Sequence, residues 1–160
     1  MAGVGKSQRG GAAGRLLTTS TDCWYIADVT LPRSNSLDES RPLLVVVDDE
    51  PVLRTFMGRV LHAHYRVLLA ADGAEALDLV RMDGLKVSAV VTDVRMPGMD
   101  GLALAAALRD LGLAVPILFV SGFTVVGHAP GPFLPKPFAP DDLLAAVQQL
   151  LGANQGPQPV

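Results

Sequence analysis

Asp48 and Asp49 stand side by side, Asp93 stands alone, and Lys136 lies 88 positions beyond Asp48. Three carboxylates brought close together cannot all ionise cheaply unless a cation joins them. Their hard oxygens suit Mg²⁺, which takes few protein carboxylates and keeps waters for a phosphate-bearing partner. An ammonium group and a hydroxyl beside that ion would complete a site for phosphoryl oxygens. Ser121 supplies the hydroxyl. Taken singly these residues say little. An acid pair after a strand is most often a helix cap or a solvated turn, and a lone Lys-Pro is usually a turn. What carries weight is that each one ends an apolar run, in order, along one chain.

Those runs must do the positioning. Leu43–Val47 is continuous and rich in valine, as expected of a strand covered on both faces. Pro51 suits the first turn of a helix, and Val52, Phe56, Val60 and Leu61 space out helically to about His62. Arg66–Ala70 reads as a second strand. Asp72 and Glu75 form a capping-box pattern for a helix whose buried stripe is Ala76, Leu77 and Val80. Ser88–Thr92 is a third strand ending at Asp93. Leu102, Leu104, Leu108 and Leu111 mark a third helix, with Gly112 near its stop. Ile117–Val120 is a fourth strand and Phe133–Leu134 a short fifth. Pro140-Asp141-Asp142 opens a last helix whose Leu143, Leu144, Val147, Leu150 and Leu151 share a face, with Gly152 ending it. Alternating strands and helices with short loops predict right-handed crossovers and a parallel sheet with helices on both faces. Such sheets bind ligands beyond the carboxyl ends of their strands. All the chemically interesting residues fall there.

These residues resemble the receiver domain of two-component response regulators. The resemblance covers about residues 42–152. It rests on Val45-Val46-Val47-Asp48-Asp49-Glu50, on Val91-Thr92-Asp93-Val94-Arg95-Met96-Pro97-Gly98-Met99-Asp100-Gly101, on Val120-Ser121-Gly122 and on Lys136-Pro137-Phe138. It implies a doubly wound, flavodoxin-like α/β fold with five parallel strands. It also implies Asp93 as phosphoacceptor, Asp49 as a direct Mg²⁺ ligand, Asp48 holding the ion largely through water, and the Arg95 backbone carbonyl as a further ligand. By the same resemblance Lys136 pairs with the aspartate and then the phosphoryl group, Ser121 hydrogen-bonds a phosphoryl oxygen, and Phe133 takes the aromatic switch position without a tyrosine hydroxyl. The Lys136–Pro137 bond is expected to be cis. The phosphoryl donor implied is a phosphohistidine on a histidine kinase or phosphotransfer protein, and the output is binding to a downstream protein. The Phe133–Phe138 run is similar to receivers fused behind hybrid histidine kinases.

One departure stands out. Gly122 to Pro132 is eleven residues, with three glycines and two prolines, where a parallel crossover normally takes a dozen or more. The fourth helix is therefore expected to be reduced to a turn or missing. His128 in this connection reads as a solvated loop residue.

The rest of the sequence sets bounds. The chain has 160 residues, about half of them apolar, enough for one domain with a core. Residues 1–41 hold five Lys/Arg against four Asp/Glu, net +1, and residues 42–152 hold eight against twelve, net −4. A net charge of −3 argues against nucleic-acid binding through a broad basic surface. Residues 1–41 read as a mostly disordered leader and 153–160 as a flexible tail. The Cys23-Trp24-Tyr25-Ile26 patch is the leader's apolar cluster. Gly3-Val4-Gly5-Lys6-Ser7 resembles the end of a P-loop but lacks the earlier glycine and strand that motif needs, so it reads as chance. With one cysteine, Cys23, no internal disulfide is possible. The apolar runs are too short to cross a bilayer and no apolar segment follows Lys6, Arg9 and Arg15, so a cytoplasmic location with no membrane contact is expected. Three rival readings remain: a receiver-like scaffold no longer phosphorylated, a Mg²⁺-dependent phosphatase with an aspartyl-phosphate intermediate, and a cofactor-binding flavodoxin-like module. The phosphatase would normally carry Asp-x-Asp at the first strand, where this chain has Asp48-Asp49-Glu50. The cofactor module would want a phosphate loop there, which three acids would repel.

Overall fold

The structure is a computed structural model that describes residues 40–122 and 130–154, the side chain of Asn154 excepted. The P-loop-like stretch, the Cys23–Ile26 patch, His128 and residues 155–160 lie outside the described residues. The elements run β1 (Leu43–Val47), α1 (Pro51–His62), β2 (Arg66–Ala70), α2 (Gly73–Arg81), β3 (Val87–Asp93), α3 (Gly101–Asp110), β4 (Ile117–Ser121), β5 (Phe133–Pro135) and α4 (Pro140–Asn154).

The five strands form one sheet in the order β2-β1-β3-β4-β5, and every pairing is parallel. This is the doubly wound α/β fold expected. β1 is buried along its whole length, and its side chains divide between two layers. Leu44 and Val46 face a core built with Met57 and Leu61 of α1 and Leu143, Val147 and Leu150 of α4. Val45 and Val47 face the opposite core, with Ala76 and Val80 of α2 and Leu104 and Leu108 of α3. A strand sandwiched this way has no polar face, which is why LLVVV runs unbroken.

Local chemistry fixes where the helices start. Pro51 opens α1. The Asp72 carboxylate accepts the Glu75 N–H at 2.8 Å, and Glu75 reaches back to the Ala71 N–H at 2.7 Å, one residue earlier than the usual capping box. The Asp100 carboxylate accepts the Ala103 N–H at 2.7 Å and starts α3. Gly112 follows α3 with φ +70°, a conformation that favours glycine.

Some expectations need adjusting. Leu111 is not part of the α3 stripe: it is the C-cap residue and half exposed, because the helix ends before it can turn inward. Gly152 does not stop α4, which runs on to Asn154. Nothing lies within 4 Å of a Cβ built at Gly152, so that position faces open space. Asp93 and Ser121 are the last residues of their strands rather than the first beyond them. Among the described residues no helix joins β4 to β5, in keeping with the shortened connection, of which residues 123–129 lie outside the described set. No helix among the described residues is long and apolar enough to cross a membrane.

Candidate functional site

The chain passes from β1 out to β2 and back across to β3, so the crevice at the switch in strand order opens between β1 and β3. Asp48 stands on one side of it and Asp93 on the other. Asp48 is 1% exposed, the first residue past β1. One of its carboxylate oxygens, Oδ1, accepts the Glu50 N–H at 2.8 Å, which ties the acid into a tight turn. Its other oxygen, Oδ2, accepts from Lys136 Nζ at 3.1 Å. Its backbone carbonyl accepts from Arg54 Nη1 at 2.6 Å, one turn into α1.

Asp93 ends β3 at 8% exposure. Lys136 Nζ lies 3.2 Å from its Oδ1, so one ammonium serves two buried carboxylates. The lysine reaches them because β5 sets it down beside β4: its own N–H donates to the Ser121 carbonyl at 2.8 Å. The Lys136–Pro137 peptide bond is cis, as expected.

Two acids to one base leave a negative surplus. Burial pushes the Asp93 carboxyl above its ordinary value, the charge of Asp48 pushes the same way, and Lys136 only partly offsets them. Burial alone would lower the Lys136 ammonium, but Asp48 and Asp93 together hold it above its ordinary value. Asp93 is thus a carboxylate short of positive charge, at a strand end, facing a crevice.

The other expected site residues fall around this pair. Ser121 ends β4, 2% exposed, and Asp93 pairs in register with its neighbour Val120. Asp49 is exposed at the mouth and Arg95 is exposed two residues past Asp93. Among the described residues no three acidic, histidine or cysteine side chains are already grouped as a metal nest. Asp49 follows Asp48 directly in the chain, and its side chain is exposed. The donor set nonetheless suits Mg²⁺. That ion needs only one or two carboxylates and keeps several waters, and here two buried acids share a single positive charge with a third acid adjacent. Phe133 sits on β5, 36% exposed, away from the acids.

The profile of the response regulator receiver domain matches residues 44–148. The chain belongs to this family. The receiver domain is 40% identical over 116 residues to the response regulator MprA of Mycolicibacterium vanbaalenii, an alignment covering 68% of this chain and 49% of that protein. The chain spans about half the length of the curated relatives it matches. Among solved structures it is similar to a response regulator receiver protein from Sinorhizobium medicae, 29% identical with a TM-score of 0.65, covering 73% of this chain and 99% of that one. It is also similar to the receiver domain of the hybrid histidine kinase CckA, 35% identical with a TM-score of 0.60, covering 68% and 98%.

Sequence reasoning missed three contributors to this receiver's site. Arg54 buttresses the Asp48 carbonyl, and an arginine one turn into a helix gives no warning of that reach. A Cβ at Gly101 would sit 2.3 Å from the Asp93 carbonyl oxygen, so α3 begins hard against the strand end that carries Asp93. The Gly73 N–H donates to the Met99 carbonyl at 3.1 Å, and a Cβ at Gly73 would lie 2.5 Å from that oxygen, which docks the loop after Asp93 onto α2. Both glycines were visible in the sequence. Only the partners that make them necessary were not.

Proposed function

We propose that this receiver takes a phosphoryl group onto Asp93 from a phosphohistidine on a histidine kinase or histidine phosphotransfer protein, and passes the change to a downstream protein. The carrying observation is Lys136 Nζ lying 3.1 and 3.2 Å from the two buried carboxylates. That is the charge arrangement an incoming phosphoryl group needs.

An Asp93 carboxylate oxygen attacks phosphorus in line. The new O–P bond forms as the P–N bond to the donor imidazole breaks, and the leaving imidazole nitrogen keeps the electron pair and takes up a proton. Lys136 already bridges Asp48 and Asp93, so its ammonium swings a short way to follow the charge onto the phosphoryl oxygens. Ser121, buried at the neighbouring strand end, donates its hydroxyl to one of them. The backbone does the positioning: Gly101 fixes the Asp93 carbonyl from one side and Arg54 with Glu50 fixes Asp48 from the other. Asp48, Asp49, Asp93 and the Arg95 carbonyl would hold Mg²⁺, whose part is to offset charge on the transferring group. Water later attacks phosphorus, releasing inorganic phosphate and restoring the carboxylate. The chain assists its own phosphorylation and dephosphorylation and turns over no separate substrate. Phe133 turning into the space vacated as Ser121 moves would be the outward signal. A cytoplasmic setting fits the phosphohistidine donor.

Incubation with acetyl phosphate and Mg²⁺, followed by intact mass measurement, tests this. The expected result is a gain of one phosphoryl group that disappears in Asp93→Asn. No gain would leave a receiver-like scaffold. Multiple-turnover phosphate release from small esters would make it a phosphatase instead.

A further inference from the structure

Asp48, Asp49 and Glu50 all lie just before Arg54 in the chain. An arginine so placed would be expected to pair with one of those acids. It does not. Among the described residues its guanidinium makes no ion pair, and Nη1 donates instead to the backbone carbonyl oxygen of Asp48 at 2.6 Å. A short bond from a charged donor is among the strong ones. Helix chemistry does not ask for it either. A cation near the start of a helix opposes the dipole, and α1 has no acid in its first turn to offset that.

The carbonyl that Arg54 holds has passed the end of the sheet. β1 stops at Val47, whose register partners are Ala70 and Thr92. The Asp48 N–H still donates to the Ala70 carbonyl at 3.3 Å, but the Asp48 carbonyl takes Arg54 in place of a strand. That carbonyl and the Asp49 N–H belong to one rigid peptide plane. Gripping the oxygen fixes the rotation of the plane, and with it the direction in which Asp49 leaves the strand. Asp48 has little need of this help, because the Glu50 N–H and Lys136 already hold its two carboxylate oxygens. Asp49 has more. Its side chain is exposed and, among the described residues, makes no hydrogen bond or ion pair of its own. Backbone direction is what aims it.

We infer that Arg54 is a positioning residue for the metal: by fixing the Asp48–Asp49 peptide it aims the otherwise untethered Asp49 carboxylate, and so sets the affinity for Mg²⁺. The inference rests on the reading of Asp48, Asp49 and Asp93 as the acids that hold the ion. It carries a sign of its own. By charge alone, removing a cation beside these acids tightens the binding of a divalent ion. By positioning, removing Arg54 loosens it.

A Mg²⁺ titration of the full chain, without phosphoryl donor, reads the affinity from the amide shifts of Asp49, Glu50 and Asp93. Arg54→Met keeps the apolar stem and removes the donors. Its Kd for Mg²⁺ is expected to rise about tenfold, as for loss of a group that orients a metal ligand. Combining Arg54→Met with Asp49→Asn decides whether the effect runs through Asp49. The double variant should bind little more weakly than Asp49→Asn alone. A metal-free readout stands beside these. The order parameter of the Asp49 amide should fall in Arg54→Met from that of rigid backbone, about 0.85, towards that of a mobile loop. Far-UV circular dichroism checks that each variant folds, and Arg54→Gln repeats the series if Arg54→Met does not. An affinity equal to or tighter than the parent's overturns the inference. So does full additivity in the double variant, or an unchanged order parameter at Asp49. A parent that binds Mg²⁺ alongside an unaltered Arg54→Met rejects the inference alone. A parent that binds no Mg²⁺ rejects the reading of the acids, and the inference falls with it.

Discussion

The β1–β3 half of this receiver and its β4–β5 half are packed to different tolerances. Around β3 the backbone leaves no room for a methyl group: a Cβ would meet a carbonyl oxygen at 2.3 Å from Gly101 and at 2.5 Å from Gly73. The helices before and after β3 are capped by aspartates, Asp72 and Asp100. β5 has three residues, two of them exposed, and hangs from an eleven-residue connection. On that side Gly131 makes the comparable approach, 2.8 Å to the Ile117 carbonyl oxygen. The contrast matches the two tasks of a switch. A phosphoacceptor must be held to a fraction of an ångström. A signalling face must have more than one arrangement within reach. Lys136 is where the halves meet: β5 carries it, and the acids of β1 and β3 bind it.

Cutting that link should have the largest effect. Lys136→Ala leaves two buried carboxylates with no cation between them. Breaking a buried pair commonly costs about 3–5 kcal/mol. Because Asp93 can relieve the strain by taking a proton, the lower end, about 3 kcal/mol, is expected. Urea unfolding without divalent cations measures it. Phosphorylation by acetyl phosphate should fall together with stability. A variant as stable as the parent would mean that the halves are not coupled through this residue.

Gly101→Ala tests the tight half directly. The new methyl group cannot coexist with the Asp93 carbonyl oxygen, so α3 or the end of β3 must shift. Overpacking of this kind costs about 1–3 kcal/mol, and about 2 kcal/mol is expected here. The phosphorylation rate should drop by more than stability explains, since the displaced group is the acceptor itself. An unchanged rate at lower stability would show that the close approach serves packing alone.

How much of this was legible beforehand divides along the same line. The unbroken valines of β1, the helical spacing of Leu143, Val147 and Leu150, and the Asp72–Glu75 cap are local signals, and the fold follows them closely. That Asp48, Asp93 and Lys136 converge followed from parallel strand order, because strand ends in such a sheet share one edge. What could not be read were contacts set by backbone approach: Gly101 on Asp93, Gly73 on Met99, and Arg54 on the Asp48 carbonyl. A glycine in a sequence announces freedom, and only its neighbours reveal a lack of space. Leu111 was misread because a period cannot show where a helix gives out.

Asp93 also predicts a pH signature for the tight half. Its folded-state value lies above its ordinary one, chiefly through burial. Folding therefore favours the protonated acid. That contribution is complete below the unfolded value and is lost as pH rises through the folded value. Asp93→Asn removes the titration while keeping the shape. Without divalent cations the variant and the parent should be equally stable in acid. The variant should gain stability over the parent as pH rises past the carboxylate range towards neutrality. Thermal melts across pH follow the difference, and adding Mg²⁺ should narrow it by restoring a counter-charge to the parent. A gap that is constant with pH would locate the stress somewhere other than the carboxylate.

The smallest effect is expected on the loose half, and its smallness is informative. Phe133 is 36% exposed on an edge strand, opposite Phe119, which is fully buried. Phe133→Ala removes a ring that is only partly out of water, so it should cost under about 1 kcal/mol, within the range of surface changes. Phosphorylation of Asp93 should proceed at the parental rate, because no bond from Phe133 reaches the acids. What should change is the response: amide shifts around β5 on adding acetyl phosphate should shrink, as the ring that would move is gone. If the shifts persist undiminished, the outward signal travels by another route. If phosphorylation itself slows, the two halves are coupled more tightly than their packing implies, and the lysine is not their only link.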